Sequence, residues 1–174
     1  MKTKIILKNN LYMLLLFFAL LTFVSCEKKM ENNPEIDENN LTACPANSNC
    51  DYLFAENADW EVQNFLLKTG NYRLFWNVVN YGGMTTRLHI KTPMQGNKFS
   101  LNDQDILNGL VKFYQICPFC DYVGLKPVGG FVKGINTATN KKAKWLLEAK
   151  IFMESEGNSS IKDTLYIKQY FSHN

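Results

Sequence analysis

Apolar side chains recur with a period of two along much of the chain between residues 74 and 171. That is the spacing of half-buried strands. Leu74, Trp76 and Val78 alternate with Phe75, Asn77 and Val79, and Leu88 and Ile90 alternate with Arg87, His89 and Lys91. Tyr81-Gly82-Gly83-Met84 lies between these runs and predicts a hairpin. From Leu110 to Cys117, Val111, Phe113 and Gln115 face opposite to Lys112, Tyr114 and Ile116. Further runs are Phe131 to Asn136, after a Gly129-Gly130 turn, then Lys144 to Glu154 and Thr164 to Phe171.

Two stretches carry a helical signal. Ser100 is placed to cap a helix with Asp103 three residues on, Ile106 and Leu107 give it an apolar edge, and Gly109 ends it after about two turns. In residues 143–154, Trp145, Leu147, Ala149, Ile151 and Met153 share one face if the chain is extended, but Ala143, Leu146, Glu148 and Lys150 also suit a helix. The turn-like Glu156-Gly157-Asn158-Ser159-Ser160 before the last run favours a hairpin. Six to eight strands with one short helix predict a mainly β fold, a compact antiparallel β-sandwich or barrel.

The N-terminus follows another logic. Lys2, Lys4 and Lys8 precede an apolar run from Leu11 to Val24, and no acidic residue comes before Glu27. This is the layout of a secretory signal, and its apolar run is shorter than the roughly 20 residues that span a bilayer. Phe23 is too bulky for the small-residue cleavage site of an ordinary signal. Leu21-Thr22-Phe23-Val24-Ser25-Cys26 instead resembles the bacterial lipoprotein box, with Phe23 in place of the usual leucine. The resemblance implies a signal peptide over 1–25 and a diacylglycerol thioether and N-acyl chain (palmitate) on Cys26. Two or more acyl chains hold a protein stably on a membrane. Glu27 is not the aspartate that retains lipoproteins in an inner membrane, which favours the outer membrane without specifying its leaflet.

Removing the leader changes the charge. The formal +3 of the whole chain falls to zero, because all three leader charges are lysines. No clustered basic excess points to nucleic acid. Residues 26–40, polar and rich in Asn and Glu, read as the lipidated cysteine and a flexible tether. Residues 41–174 then form a single β-rich domain with one core.

Four cysteines remain in an oxidising compartment, Cys44, Cys50, Cys117 and Cys120, and disulfides are the default expectation. Three connectivities are open. In the chain-entropy model a long-range bridge contributes about 4 kcal/mol against about 2 for a short loop, so the expectation leans to a bridge stapling the N-terminal segment to the Cys117 region. Cys117-Pro118-Phe119-Cys120, after a strand-like run, also resembles the CPxC site of glutaredoxins and their thioredoxin-fold relatives. That resemblance implies a thiol oxidoreductase with Cys117 as nucleophile and Cys120 as resolving thiol. Such a site needs a helix after the first thiol to lower its pKa, whereas Gly124 and Pro127 interrupt this segment. A four-thiolate zinc site is a third arrangement, at odds with the five-residue spacer between Cys44 and Cys50.

Hydrolytic chemistry has little basis. His89 is the one histidine inside the domain, read as a solvated side chain on a polar strand face, and His173 sits in the C-terminal tail. No nucleophile-elbow, phosphate-loop or calcium-loop pattern occurs. No cofactor or metal is expected. Trp76 and Trp145 fall on inward faces, while Trp60 and Tyr81, in loop or turn segments, are the candidates for ligand contact. With its Ser25-Cys26-Glu27-Lys28-Lys29 junction, Asn-rich tether and Cys-containing β domain, the chain resembles the many uncharacterised cell-envelope lipoproteins of Gram-negative bacteria of the Bacteroidota kind. The expectation is a lipid-anchored binding or accessory module, with a glycan or another envelope protein as partner.

Overall fold

The computed structural model describes residues 34–61, 66–118, 124–137 and 144–174. Among them are nine strands: β1 (Ser48–Trp60), β2 (Leu67–Thr69), β3 (Tyr72–Tyr81), β4 (Met84–Pro93), β5 (Lys98–Leu101), β6 (Val111–Ile116), β7 (Leu125–Asn136), β8 (Lys144–Ser155) and β9 (Lys162–His173). The fold is mainly β with one short helical segment. The strands form one mixed sheet in the order β5-β7-β8-β9-β1-β3-β4-β6, with β2 hydrogen-bonded to β1 alone. Neighbours pair antiparallel except β1 and β9, which run parallel through Leu53↔Ser172 and Phe54↔His173. The ladder does not close, since β5 and β6 form its two ends.

The sheet nevertheless curls around a single core. The Phe75 ring of β3 lies within 5.4–5.7 Å of Phe99 of β5, Trp145 of β8 and Phe171 of β9, strands that are five, three and two places from β3 in hydrogen-bonded order. Only a curled sheet brings those inner faces together. Period two explains β8: Trp145, Leu147, Ala149, Ile151 and Met153 are all buried in the core, which makes this segment a strand. The β3–β4 hairpin forms as predicted around Gly82 and Gly83, both at positive φ as a two-residue hairpin turn demands. Arg73 closes one end of the core, with its guanidinium 4.1 Å from the Trp145 ring and bonded to Glu56 at 2.9 Å.

Several local expectations change. Ser100 lies in β5, and the helix cap is Asn102, which forms a capping box with Asp105. A three-residue α-turn, α1 (Asp103–Asp105), runs into a π-turn over Ile106–Leu110. Ser100 fits the cap motif equally well, but Phe99 and Leu101 are buried core residues and draw it into the strand. Gly129-Gly130 is no turn between strands. β7 begins at Leu125, and the irregularity between Pro127 and Gly129 is a bulge within it. The C-terminus is paired as well, with the His173 ring 5.2 Å from Phe54 and the Asn174 N–H donating to the Phe54 carbonyl.

The expected long-range staple is absent. Cys44 pairs with Cys50 across a separation of six residues. The Ser48 N–H donates to the Pro45 carbonyl within this loop, a turn that returns the chain towards Cys44. Residues just beyond Cys44's N-terminal side lie along β9, with the Thr42 N–H on the Lys168 carbonyl and the Lys168 N–H on Thr42 Oγ1. No helix among the described residues is long and apolar enough to cross a membrane.

Candidate functional site

Trp60 is not on display. It is 5% exposed and lies on the outer face of the sheet with Ala58 and Leu74, while Ala55 and Trp76 pack against this second, smaller cluster. A bulge places it there. The β1–β3 register shifts between Ala55 and Ala58, and Asn57 takes a positive φ. Strand alternation is thereby inverted, so that Phe54 points into the core and Trp60 to the other side. Trp76, placed inward by alternation, is half-buried on this same outer face. Trp145 is inward as expected.

His89 is also buried, at 7% exposure, and contradicts the solvated reading. Its ring meets Trp60 and Tyr114 edge to face at 5.7 and 5.9 Å. Burial, aided by the like charges of Arg87 and Lys112, pushes its pKa down to about 4. It is therefore a neutral imidazole at ordinary pH, enclosed by aromatic rings.

Beside this cluster is an open concavity of about 370 Å³, lined by Asp59, Trp60, Lys68, Lys91, Lys112 and the 108–110 segment that ends the π-turn. Lys91 Nζ donates to Asp59 Oδ1 at 2.8 Å and sits 3.9 Å from the centre of the Tyr72 ring. Burial would raise the Asp59 pKa. The Lys91 bond, the Trp60 N–H and the charges of Lys91 and Lys68 outweigh that and hold it below the usual carboxylate range. Two ammonium groups, Lys91 and Lys68, thus act on one ionised carboxylate. No spacing rule in the sequence links β1, β2, β4 and β6, and the outer-face register alone assembles them.

The remaining predicted residues do not join this site. Tyr81 is 50% exposed at the hairpin end, opposite Ser48, whereas Trp60 lies at the far end of the same ladder. Tyr81 and Tyr72, the partner of Ala58, are the two ends of β3, about 30 Å apart along the strand. Trp60 and Tyr81 therefore form no joint platform. Cys117 is half-buried just after β6 and is disulfide-bonded, its partner lying outside the described residues. Cys26 and Cys120 also lie outside them. From Leu125 onward the chain is strand, so the helix that a CPxC nucleophile requires does not occupy that segment. With Cys44, Cys50 and Cys117 all in disulfides, four free thiolates are not on hand for zinc. No protein-family model, curated protein or solved structure matches this chain.

Proposed function

We propose that this is a lipid-anchored cell-envelope protein acting as a non-enzymatic binding or accessory module, held at the outer membrane through Cys26. One observation carries the binding reading. The outer-face concavity presents charged hydrogen-bonding groups and, among the described residues, no nucleophile–base pair, since its carboxylate is bound to Lys91 and the adjacent imidazole is enclosed by Trp60 and Tyr114. Such a surface can hold a ligand, and it offers no group poised to take a proton from one. The leader and the Cys26 box support the anchoring.

Metabolic labelling with a palmitate analogue, followed by fractionation, tests the anchor. The full chain should be labelled and stay with membranes through a high-salt wash, and Cys26→Ser should abolish both. An unlabelled wild-type chain that high salt releases would refute the anchor. The thiol oxidoreductase alternative rests on the Cys117 disulfide and is separated by a disulfide-reduction assay. Turnover by the wild-type chain that vanishes in Cys117→Ser would displace the binding reading.

A further inference from the structure

Leu66, Leu67 and Leu107 stand 60%, 44% and 59% exposed at one end of the sheet, and the core does not account for them. Every residue of β2 is exposed, so this strand adds nothing to the core. It is held through its backbone, by pairing with β1, and the Leu66 carbonyl takes the Glu61 N–H. Leu107 follows Ile106, which is buried and already gives its segment a core contact. Lys68 and Asn108, the chain neighbours of Leu67 and Leu107, both line the concavity, so the two leucines lie beside one opening. Single exposed apolar side chains are ordinary, whereas a group of them around one opening marks a contact surface.

The path of the chain tells what that end faces. Thr42 is bonded to Lys168 of β9, and the Tyr170 hydroxyl donates to the Glu38 carboxylate. Towards its N-terminus the segment therefore advances in the direction of the C-terminal end of β9. Because β9 runs parallel to β1, this is also the end where β1 reaches Trp60 and takes up β2. Pro34 is eight residues from Cys26, and eight residues span at most about 30 Å when fully extended. A lipid on Cys26 would thus keep the leucine-bearing end close to the bilayer and the Gly82-Gly83 hairpin, at the other end of the β3–β4 ladder, away from it.

We infer that this end of the domain docks on the membrane that carries the anchor, with Leu67 and Leu107 inserted among the lipids and the concavity opening onto the headgroups. Apolar side chains enter the boundary between headgroups and acyl chains because their surface leaves water, and no excess of charge is needed. The inference rests on the lipid-anchor reading and adds the orientation of the domain on its membrane.

The experiment uses the full chain, purified from membranes and reconstituted into phosphatidylethanolamine–phosphatidylglycerol vesicles containing doxyl-labelled lipid. An environment-sensitive fluorophore is attached at Asn108→Cys, beside Leu107, or at Tyr81→Cys, at the hairpin end. Vesicle flotation reads attachment separately. The fluorophore at position 108 should be quenched by doxyl lipid and protected from aqueous iodide, and the one at position 81 should show the reverse. Leu67→Asp with Leu107→Asp should abolish the doxyl quenching at position 108 while the chain still floats through Cys26. An unchanged urea-unfolding midpoint in that variant shows that the fold is intact. Iodide quenching at both positions of a floating chain, doxyl quenching at position 81 in place of 108, or quenching indifferent to the double substitution would overturn the docking and leave the anchor standing. Protection from both quenchers at position 108 would mean burial against protein, a second copy included, and would overturn it too. A wild-type chain that does not float would overturn the anchor and the docking with it.

Discussion

A single imidazole shows how far an environment can move a residue from its sequence reading. His89 alternates with Leu88 and Ile90, which suggests the wet face of a half-buried strand. In the fold that face is roofed by Trp60 and flanked by Tyr114, and the charges of Arg87 and Lys112 act on it. The folded pKa of about 4 lies below the ordinary value of 6.5. Protonation therefore favours the unfolded chain, and this contribution is fully present above about pH 6.5 and is lost as pH falls towards 4. The shift corresponds to a loss on the order of 3 kcal/mol. His89→Phe should flatten the pH dependence of urea-unfolding stability between pH 4 and 6.5, relative to the wild type. Parallel wild-type and variant curves over that interval would show that His89 is not the group responsible.

Elements respond to their neighbours in the same way. The Ser100-x-x-Asp103 and Asn102-x-x-Asp105 patterns are both capping boxes by composition. Asn102 takes the role because Phe99 and Leu101 must point into the core two residues apart, which extends β5 through Ser100. The β5–β7 contact is equally exacting. Phe99 pairs with Gly134, and a Cβ at that position would overlap the Phe99 ring. The ring cannot yield easily, with Phe75 at 5.4 Å and Trp145 at 5.7 Å. Gly134→Ala should thus cost about 1–3 kcal/mol, the range for overpacking a core. A lower denaturation midpoint at unchanged slope is the expected signature. Recovery on adding Phe99→Leu would identify the ring as the obstacle, and a neutral Gly134→Ala would refute the contact.

At the scale of the whole molecule, the disulfide between Cys44 and Cys50 locks a local loop at the start of β1 rather than joining distant parts. Cys44→Ser with Cys50→Ser should therefore lower stability by only about 2 kcal/mol, the short-loop value. It should leave Cys117 in its disulfide, as read by alkylation and mass spectrometry of the unreduced protein. A newly alkylated Cys117 would contradict the pairing. The molecule's integrity instead rests on the curled sheet, in which Phe54, Phe75, Trp145 and Phe171 meet from four strands.

Period-two alternation was sufficient to read β3, β4, β6 and β9 and the mainly β class, because side-chain direction along a strand is a local geometric property. The hairpin glycines were legible for the same reason. Over residues 143–154, by contrast, alternation competed with helix-forming composition, and only burial in the core made β8 a strand. What alternation could not supply was the bulge near Asn57, since one added residue inverts every side chain beyond it and leaves no mark in composition. That inversion buries Trp60, shields His89 and sets Asp59 beside Lys91. Strand order was equally out of reach, because pairing between distant segments is decided by which apolar faces fit one core. The residues of the candidate site lie in the sequence as scattered lysines and one aspartate. Their convergence belongs to the tertiary structure alone.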